Sequence, residues 1–367
     1  MKFETKKSEI DEFLHIGAAI AERRQTIPIL SNLKIVAKNN TVEITATDLE
    51  IQAIIKTDVN KVIEEGATTV SARKMSELCR SLPENEILEF TLVNGKLTVK
   101  SKNFHADFAT LSSDDFPMLE TSEESIDLSL PSSLLKRLLI KTQFCMASQD
   151  VRYYLNGLLI EHKNSKLSAV STDGHRLALA HTELNLEGSN EIRVILPRKA
   201  VLEISKILPQ DDSLVEISIG SNSVRIKQNN LDFTTKLIDG KFPDYEKVFP
   251  EGDSQNLSIL KESLLSALLR ASVLSNEKYK GVRFALESNL LRLTANNPEQ
   301  ELAEETLEVQ YSGSNMEIGF NIGYLLDVLN SIENEKVELL FYNQESSCLI
   351  KEPDNNSEIY VIMPMRL

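Results

Sequence analysis

The sequence predicts an α+β fold made of three copies of one domain, each with two helices packed on antiparallel sheet. The first observation is a long-period repeat: residues 170–180 read VSTDGHRLALA, and residues 45–49 read TATDL 125 positions earlier. Residues 294–298, TANNP, form a weaker third copy. The pattern is that of two strands joined by a tight turn. A repeat of this period in a chain of 367 residues indicates three domains.

The second observation is that helix starts recur with the same period. Arg73 and Arg198 stand 125 positions apart, as do Pro197 and Ile322. Each domain then reads helix, strands, helix, strands. Helices that bury one stripe on the same face of a sheet lie on one side of it. Repetition of such a unit with a small fixed rotation gives an arc or a ring.

Domain one is assigned to residues 1–119. Its first helix is predicted from Ser8, which acts as N-cap with Asp11 three positions on. Its second helix is predicted from the Ser71 cap to Pro83. Strands are predicted at residues 33–36 and 42–44, around an Asn-Asn turn, and at 88–90, 96–99 and 108–111. The acidic, Ser-rich residues 120–127 are predicted to be a linker.

Domains two and three repeat this plan over residues 128–248 and 257–367, with residues 250–256 as the second linker. In domain two, helices are predicted from Pro131-Ser132-Ser133 and from Pro197-Arg198-Lys199. In domain three, an apolar stripe that includes Leu264 and Leu268 predicts one helix, and Asn321 begins the last one. The chain ends on a predicted strand.

Composition restricts the class of protein. The chain is 41% hydrophobic and 26% charged, as in ordinary globular proteins. The sequence contains no apolar run of membrane-span length and no signal peptide at its start, so we expect a cytoplasmic protein. Cys79, Cys145 and Cys348 are isolated from one another, which predicts reduced core thiols and no metal cluster. No nucleotide-binding loop or other cofactor motif is present.

The net charge of −15 argues against a polyanionic partner, but a total does not say which face carries it. Basic residues concentrate on the predicted helices: Arg23, Arg24, Arg73, Lys74, Arg80, Lys136, Arg137, Lys141, Arg198, Lys199, Lys206 and Arg270. They form either a surface that follows phosphates without reading sequence or ordinary solvated helix faces. Charge alone leaves both interpretations open.

Several long motifs resemble one family. They are QDVRYYLNG at 149–157, TDGHRL at 172–177, VILPRK at 194–199, DGKFPDY at 239–245, SNEKYKGVR at 275–283, TANNPEQE at 294–301 and the terminal YVIMPMRL. In this order and number, they make the chain similar over its whole length to the bacterial sliding clamps, the beta subunits of DNA polymerase III. That family also has three domains per chain.

The resemblance implies a head-to-tail homodimer closed into a ring around double-stranded DNA, with helices inside and sheets outside. Such a ring tethers the replicative polymerase and gives it processivity. The chain is then an accessory subunit of a DNA-directed DNA polymerase, a nucleotidyltransferase, with no catalytic residues and no cofactor of its own. The implied partners are that polymerase, the clamp loader and repair or translesion polymerases, which dock through short Gln- and Leu-rich peptides.

The resemblance also implies sites. Family DNA contacts match Arg24, Gln149, Tyr153 and Tyr154, and we add the basic helix residues Arg73, Arg137, Arg198 and Lys199. The partner-peptide pocket matches Leu155, Thr172, Gly174, His175, Arg176, Leu177, Pro243, Lys247, Val248, Ser347, Val361, Met363, Pro364, Met365 and Arg366, where Lys247 replaces an expected Arg. The dimer contact matches Phe108 against Val273 and Leu274, with Arg73 and Lys74 facing Glu301, Glu304 and Glu305. Asn103 and His105 stand where basic residues are expected, which predicts fewer ion pairs than usual across the dimer contact.

Two other functions compete with this one. Ser171, Asp173 and His175 could be read as a hydrolase triad, but three residues crowded on one turn rarely converge on a substrate. A scaffold protein without DNA-binding activity would share the ring and the pocket. It would differ in showing no salt-dependent retention on DNA.

Overall fold

The computed structural model describes residues 1–21, 27–120, 125–185 and 191–366. Within these residues there are six α-helices: Lys7–Ile20 (α1), Ala72–Ser81 (α2), Ser132–Thr142 (α3), Arg198–Ile207 (α4), Lys261–Ser272 (α5) and Ile322–Ser331 (α6). None of the described helices has both the length and the apolar character that crossing a membrane requires.

The strands lie between these helices in the predicted rhythm. They are Lys2–Lys6 (β1), Asn32–Lys38 (β2), Thr41–Thr47 (β3), Ile51–Asp58 (β4), Lys61–Glu64 (β5), Gly66–Ser71 (β6), Ile87–Val93 (β7), Lys96–Ser101 (β8), Phe104–Leu111 (β9), Ile126–Pro131 (β10), Gly157–Lys163 (β11), Lys166–Thr172 (β12), Arg176–Glu183 (β13), Ile192–Pro197 (β14), Leu214–Ile219 (β15), Ser223–Gln228 (β16), Leu231–Lys236 (β17), Gln255–Leu260 (β18), Gly281–Glu287 (β19), Leu290–Asn296 (β20), Leu302–Glu308 (β21), Gln310–Tyr311 (β22), Met316–Asn321 (β23), Lys336–Phe341 (β24), Cys348–Lys351 (β25) and Glu358–Ile362 (β26).

The chain divides into two compact units, and the sheets follow this division. The first unit comprises Met1–Lys136 and Lys199–Leu237. It holds a 13-stranded sheet, in the order β10-β15-β16-β17-β4-β3-β2-β6-β9-β8-β7-β1-β5. In it β17 pairs with β4, from Leu231 opposite Ile55 to Thr235 opposite Ile51.

The second unit comprises Arg137–Arg198 and Ile238–Leu367. It holds a nine-stranded sheet, β14-β11-β12-β13-β26-β25-β24-β18-β22, and a four-stranded sheet, β21-β20-β19-β23. The predicted middle domain is therefore shared between the two units, because its strands continue the sheets on either side of it in sequence. The boundaries at 119, 128, 248 and 257 remain a prediction from the repeat.

Each unit has a core in which helices cover a sheet. In the first unit, Ile10 and Leu14 of α1 are fully buried, as is Met75 of α2. In the second unit, Leu264 of α5 and Leu325 of α6 are fully buried in a single cluster. Each such side chain contributes about 1.5–3 kcal/mol by leaving water, so the apolar stripes are what place the helices on the sheets.

The predicted cap of the first helix is wrong. The helix begins at Lys7, so Ser8 lies inside its first turn. Glu9 takes over the capping function, because its carboxylate accepts from the Lys6 backbone N–H at 3.2 Å and from the Thr5 hydroxyl at 3.0 Å. The carboxylate also suits the positive end of the helix dipole.

The other helix starts agree with the sequence. Ser71 occupies the N-cap position of α2 but its side chain makes no capping hydrogen bond, whereas Asn321 caps α6 by accepting from the Tyr324 backbone N–H at 3.3 Å. The predicted Asn-Asn turn joins β2 and β3, with φ of 51° at Asn39 and 58° at Asn40. Two successive left-handed residues are what a two-residue hairpin of type I′ requires.

Candidate functional site

The candidate site is built around the repeated turn, whose two clear copies share one hydrogen-bond pattern. In the second copy the Thr172 hydroxyl donates to the Arg176 carbonyl at 2.6 Å and accepts from the Gly174 N–H at 3.0 Å. In the first copy Thr47 does the same with the Ile51 carbonyl, at 2.8 Å, and the Leu49 N–H, at 3.1 Å. The structure thus supports the repeat at the level of single bonds.

The two copies differ at the residue that takes the left-handed conformation. Gly174 has φ of 90° and Leu49 has φ of 75°. Glycine tolerates this region without strain, whereas leucine does not. A Cβ on Gly174 would also lie 3.0 Å from the Arg152 guanidinium. Gly174 therefore lets the chain pass close to the loop that carries Arg152.

The last strand brings the chain's end to this turn. β26 pairs with β13, so that Leu177 lies opposite Val361. Beyond the strand, the Met363 N–H donates to the His175 carbonyl at 2.9 Å, and the Met365 N–H donates to the Gly319 carbonyl at 2.8 Å. The terminal segment is therefore held at both ends by backbone bonds, and the side chains of Met363 and Met365 stay half-buried.

The segment 242–248 forms an apolar wall next to these residues. Phe242 and Tyr245 are buried in a cluster with Leu177 and Val361, and Val248 packs against that cluster. The exposed Lys247 pairs with Asp244 at 2.9 Å.

Arg176 is fixed by four contacts. Its guanidinium lies 3.0 Å from Asp173 and 2.5 Å from Asp327, and it donates to the Phe144 carbonyl at 2.9 Å. It also lies over the Tyr324 ring, 4.5 Å from the centroid, in cation–π geometry. A side chain held in this way offers a rigid polar edge beside the apolar wall.

Open cavities adjoin this site. One, of about 510 Å³, is lined by Met146, Arg152, His175, Arg176 and Tyr324 among others. A second, of about 690 Å³, is lined by Pro364, Met365 and Arg366 together with Arg283 and Gly319. These two cavities are lined mainly by polar and charged side chains, whereas the apolar surface of the site comes from the segment 242–248. Apolar surface beside a few fixed polar groups is the usual makeup of a site for small ligands or peptides.

The structure brings the predicted pocket residues together within the second unit. The turn, β13, β26 and the terminal segment join Thr172, His175, Leu177, Val361 and Met363 through the pairings above. Ser347 directly precedes β25, in which Cys348 lies opposite Ile362. Leu155 is buried, and its carbonyl accepts from the Ala147 N–H at 3.0 Å.

The hydrolase alternative does not have the geometry it needs. The Ser171 hydroxyl is buried and donates to the Thr142 carbonyl. Asp173 accepts from the backbone N–H groups of His175 and Arg176 and pairs with the Arg176 side chain. Because a triad requires the serine hydroxyl to face the imidazole, these three residues serve the turn.

The predicted DNA-contact loop is a braced protrusion. Asn156 and Asp150 exchange two hydrogen bonds, at 2.9 Å and 2.8 Å. The Arg152 side chain donates to the Asp150 carboxylate and lowers its pKa to about 2. The braced loop leaves Gln149 exposed, with φ of 59°, and Tyr153 58% exposed. Tyr154 is half-buried and packs edge-on against Tyr153.

Three of the predicted basic DNA contacts have internal partners. Arg137 lies 2.6 Å from Glu358 in the second unit, and Lys199 lies 2.5 Å from Asp48 in the first. Arg198 donates to the Met146 carbonyl at 2.9 Å. These contacts give the three side chains a structural role first, which the sequence pattern did not reveal because the partners are distant along the chain.

Of the two remaining basic residues predicted to contact DNA, the structure describes Arg73. Arg73 is exposed on α2, where it pairs with Glu77 one turn away at 3.1 Å. Such an exposed pair is weak and exchanges readily. Arg24 lies outside the described residues.

The ion cluster around Glu358 yields a stability prediction. The carboxylate of Glu358 is buried and pairs with Arg137 at 2.6 Å and with Lys141, also buried, at 3.4 Å. Glu358→Ala removes a carboxylate shared by two cations, but Lys141 keeps the Ser331 carbonyl at 2.6 Å and Glu333 at 2.9 Å, so we expect a loss of about 1.5–3 kcal/mol in unfolding free energy. Urea titration measures it. The exposed Glu287 supplies the control, since Glu287→Ala should change stability by less than about 0.5 kcal/mol. Equal effects would contradict the prediction.

Among the described residues several strands have an unpaired edge, and two of them, β9 and β21, carry residues predicted for the dimer contact. β21 pairs with β20 on one side only, and it carries exposed Leu302 and Glu304. β9 bonds β6 only near Leu111, so the part around Phe104 and Phe108 pairs with β8 alone. Unpaired edges of this kind are templates for pairing with another chain.

The predicted dimer residues lie at or near these edges. Phe108 is on β9, and Val273, 77% exposed, follows α5 together with half-buried Leu274. Glu305 already pairs with Arg270 of its own chain at 2.5 Å, and the pairing lowers the pKa of Glu305. Glu305 is therefore less available to Arg73 or Lys74 of another chain than predicted.

Comparison with known proteins gives the same family along the whole chain. Residues 1–120, 129–244 and 246–366 match the N-terminal, central and C-terminal domains described for the DNA polymerase III beta subunit. The beta sliding clamps of Pseudomonas aeruginosa and Escherichia coli K12 are 42% and 41% identical over 367 residues, which is 100% of each chain.

Solved structures agree with the sequence matches. The crystal structure of the DNA polymerase III subunit beta from P. aeruginosa has a TM-score of 0.95 at 41% identity, with 100% of both chains covered. A DnaN sliding clamp from the same organism, bound to griselimycin, has a TM-score of 0.96 at 42% identity, again with full coverage of both chains.

Proposed function

The chain belongs to the DNA polymerase III beta subunit family and is a sliding clamp, and from this premise we propose that two copies close head to tail into a ring around duplex DNA. The open edges of β9 and β21 support the proposal, because they are different surfaces on one chain. Contacts between different surfaces generate rings when the rotation closes. We also propose that the chain has no active site of its own and acts as an accessory subunit of the polymerase.

At the contact between copies, β9 of one chain would extend the sheet of β21 in the next. Backbone hydrogen bonds supply affinity in this mode, and Phe108, Val273 and Leu274 supply the apolar part. The ionic part is small. Arg270 already engages Glu305, and Asn297 bonds Glu301 at 2.6 Å, so Glu304 is the most accessible partner for Arg73 or Lys74.

On DNA, the proposed contacts are Gln149 and Tyr153 of the braced loop, with Arg73 and Arg24 adding positive charge. These contacts do not distinguish one base sequence from another. Because contacts with phosphates form and break quickly, the ring can slide along the DNA. A net charge of −15 per chain disfavours DNA elsewhere on the surface. Retention then depends on topology more than on affinity.

The proposed partner site is the region around His175, Leu177, Val248, Val361 and Met363. A short peptide with a polar residue followed by apolar ones fits it, because apolar walls adjoin the rigid edge made by Arg176. Replicative, repair and translesion polymerases and the clamp loader are its proposed users, in the cytoplasm. A related sliding clamp has been solved bound to griselimycin, so ligand binding is known in the family.

The test of topological tethering compares circular with linear DNA. Clamp loaded on a nicked circle should remain through gel filtration, and cutting the circle once should release it at least about tenfold faster. The physical reason is that only a free end lets a closed ring leave. Equal release before and after cutting would contradict the proposal. Equal release with intact peptide binding would favour the scaffold alternative.

A further inference from the structure

The apolar wall of the proposed peptide site has no strand to hold it. Between the end of β17 at Lys236 and the start of β18 at Gln255, the only regular element is a single 3-10 turn, Tyr245–Val248. A segment outside the backbone ladders depends on its side chains for position. Phe242 and Tyr245 are its buried anchors.

One buried carboxylate ties this segment to the sheet. Glu161 lies on β11 and is 6% exposed. Its Oε2 accepts from the Tyr245 hydroxyl at 2.6 Å, and its Oε1 accepts from Arg193 at 2.6 Å. Arg193 is the direct cross-strand neighbour of Glu161 on β14, and its guanidinium also reaches the Phe242 carbonyl at 3.5 Å. Both oxygens of the carboxylate are therefore engaged.

The hydrogen bond between Glu161 and Tyr245 holds the same apolar cluster that lines the proposed peptide site. The Tyr245 ring lies in this cluster with Leu177 and Val361. Val248, three positions after Tyr245, packs against the cluster. Burial and the neighbouring carboxylate raise the pKa of Tyr245, so its hydroxyl remains a donor at all physiological pH values. Without that bond, the segment keeps its apolar packing and the contact of Arg193 with the Phe242 carbonyl, but the 3-10 turn loses the hydrogen bond from its first residue to the sheet.

We propose that Glu161 is a positioning residue of the partner-peptide site: through Tyr245, with Arg193 behind it, it fixes the wall at residues 242–248 without contacting the peptide. The inference rests on the proposed function, because residues 242–248 form the wall of a binding site only if partner peptides bind there. It predicts that peptide affinity depends on a hydroxyl that faces away from the site, into the sheet.

The test replaces the hydroxyl alone. Tyr245→Phe keeps the ring in the cluster and removes the bond to Glu161. We expect a fluorescein-labelled Gln- and Leu-rich peptide to bind about tenfold more weakly in an anisotropy titration, which corresponds to about 1.4 kcal/mol. Loss of a fixed wall should act mainly through faster dissociation. Binding equal to that of the unchanged protein would overturn the inference.

Tyr311→Phe is the matched control. Tyr311 is a buried tyrosine of the same unit, whose hydroxyl oxygen lies 2.8 Å from Gln255 Oε1 and 2.7 Å from the Ser314 carbonyl oxygen, so that its one proton is shared between two acceptors. It belongs to the other core cluster. We expect a similar fall in melting temperature with unchanged peptide affinity. If both variants weaken the peptide equally, general softening explains the effect and the inference fails.

A second variant separates the charge from the hydrogen bond. Glu161→Gln keeps an oxygen that can accept from Tyr245 but loses the ion pair with Arg193, so we expect a smaller loss of affinity, about two- to threefold. A loss larger than that of Tyr245→Phe would contradict the proposed route through Tyr245. Failure of the unchanged protein to bind the peptide would refute the proposed site itself, and the two failures are thus distinguishable.

Discussion

Val273→Asp should convert the protein into a monomer that leaves circular DNA as fast as it leaves linear DNA. Val273 is 77% exposed in the single chain, so the substitution leaves the fold intact. In the proposed contact it is buried, and burying an unpaired carboxylate costs several kcal/mol. A dimer contact with few ion pairs has little other binding energy to offset that cost. Sedimentation velocity at micromolar concentration measures the association.

Leu214→Asp provides the control for the dimer prediction. Leu214 is also an exposed apolar residue, at 65%, but it lies on β15, which six strands of the same sheet separate from β9. This variant should sediment as a dimer and stay on circular DNA. A dimeric Val273→Asp protein would show that the contact lies elsewhere on the chain.

Deletion of residues 363–367 should abolish partner-peptide binding, by at least about 100-fold, and leave dimerisation unchanged. The deletion removes Met363 and Met365, whose backbone bonds to His175 and Gly319 hold the terminal segment against the turn. It also opens one side of the apolar site to water. Fluorescence anisotropy with the labelled peptide measures the loss, and sedimentation reports the oligomer.

The exposed Arg366 offers a milder comparison for the deletion. Arg366→Ala removes one side chain and keeps the backbone of the segment, so affinity should fall by less than about fivefold. Unchanged peptide affinity after the full deletion would rule out the assigned site.

Local signals in the sequence predicted most of the elements. The Asn-Asn turn, the Ser71 and Asn321 helix starts and the repeated Thr-Asp turn are short-range features, and each formed as its residue types require. The Ser8 cap failed for an equally local reason. Glu9 accepts from the Lys6 N–H at the N-cap position, whereas Ser8 lies two positions beyond that N-cap.

The long-range pairs were beyond prediction from residue types. Lys199 pairs with Asp48 across 151 positions, and Arg137 with Glu358 across 221. A lysine or arginine on a helix is the same letter whether it faces DNA or a buried carboxylate. The pocket residues were identified through a family resemblance. The hydrogen bond between Glu161 and Tyr245 joins residues 84 positions apart, and nothing in the sequence indicated it.

The way that strands from different repeats join within single sheets has a mechanical consequence. The β17–β4 and β13–β26 ladders each align five residue pairs, with fully buried side chains such as Phe233 and Leu177 beside them. Pulling apart such a ladder breaks many bonds together, so these junctions are stiff under load. Neighbouring repeats that are joined by either ladder should therefore move together as one body when the chain is loaded.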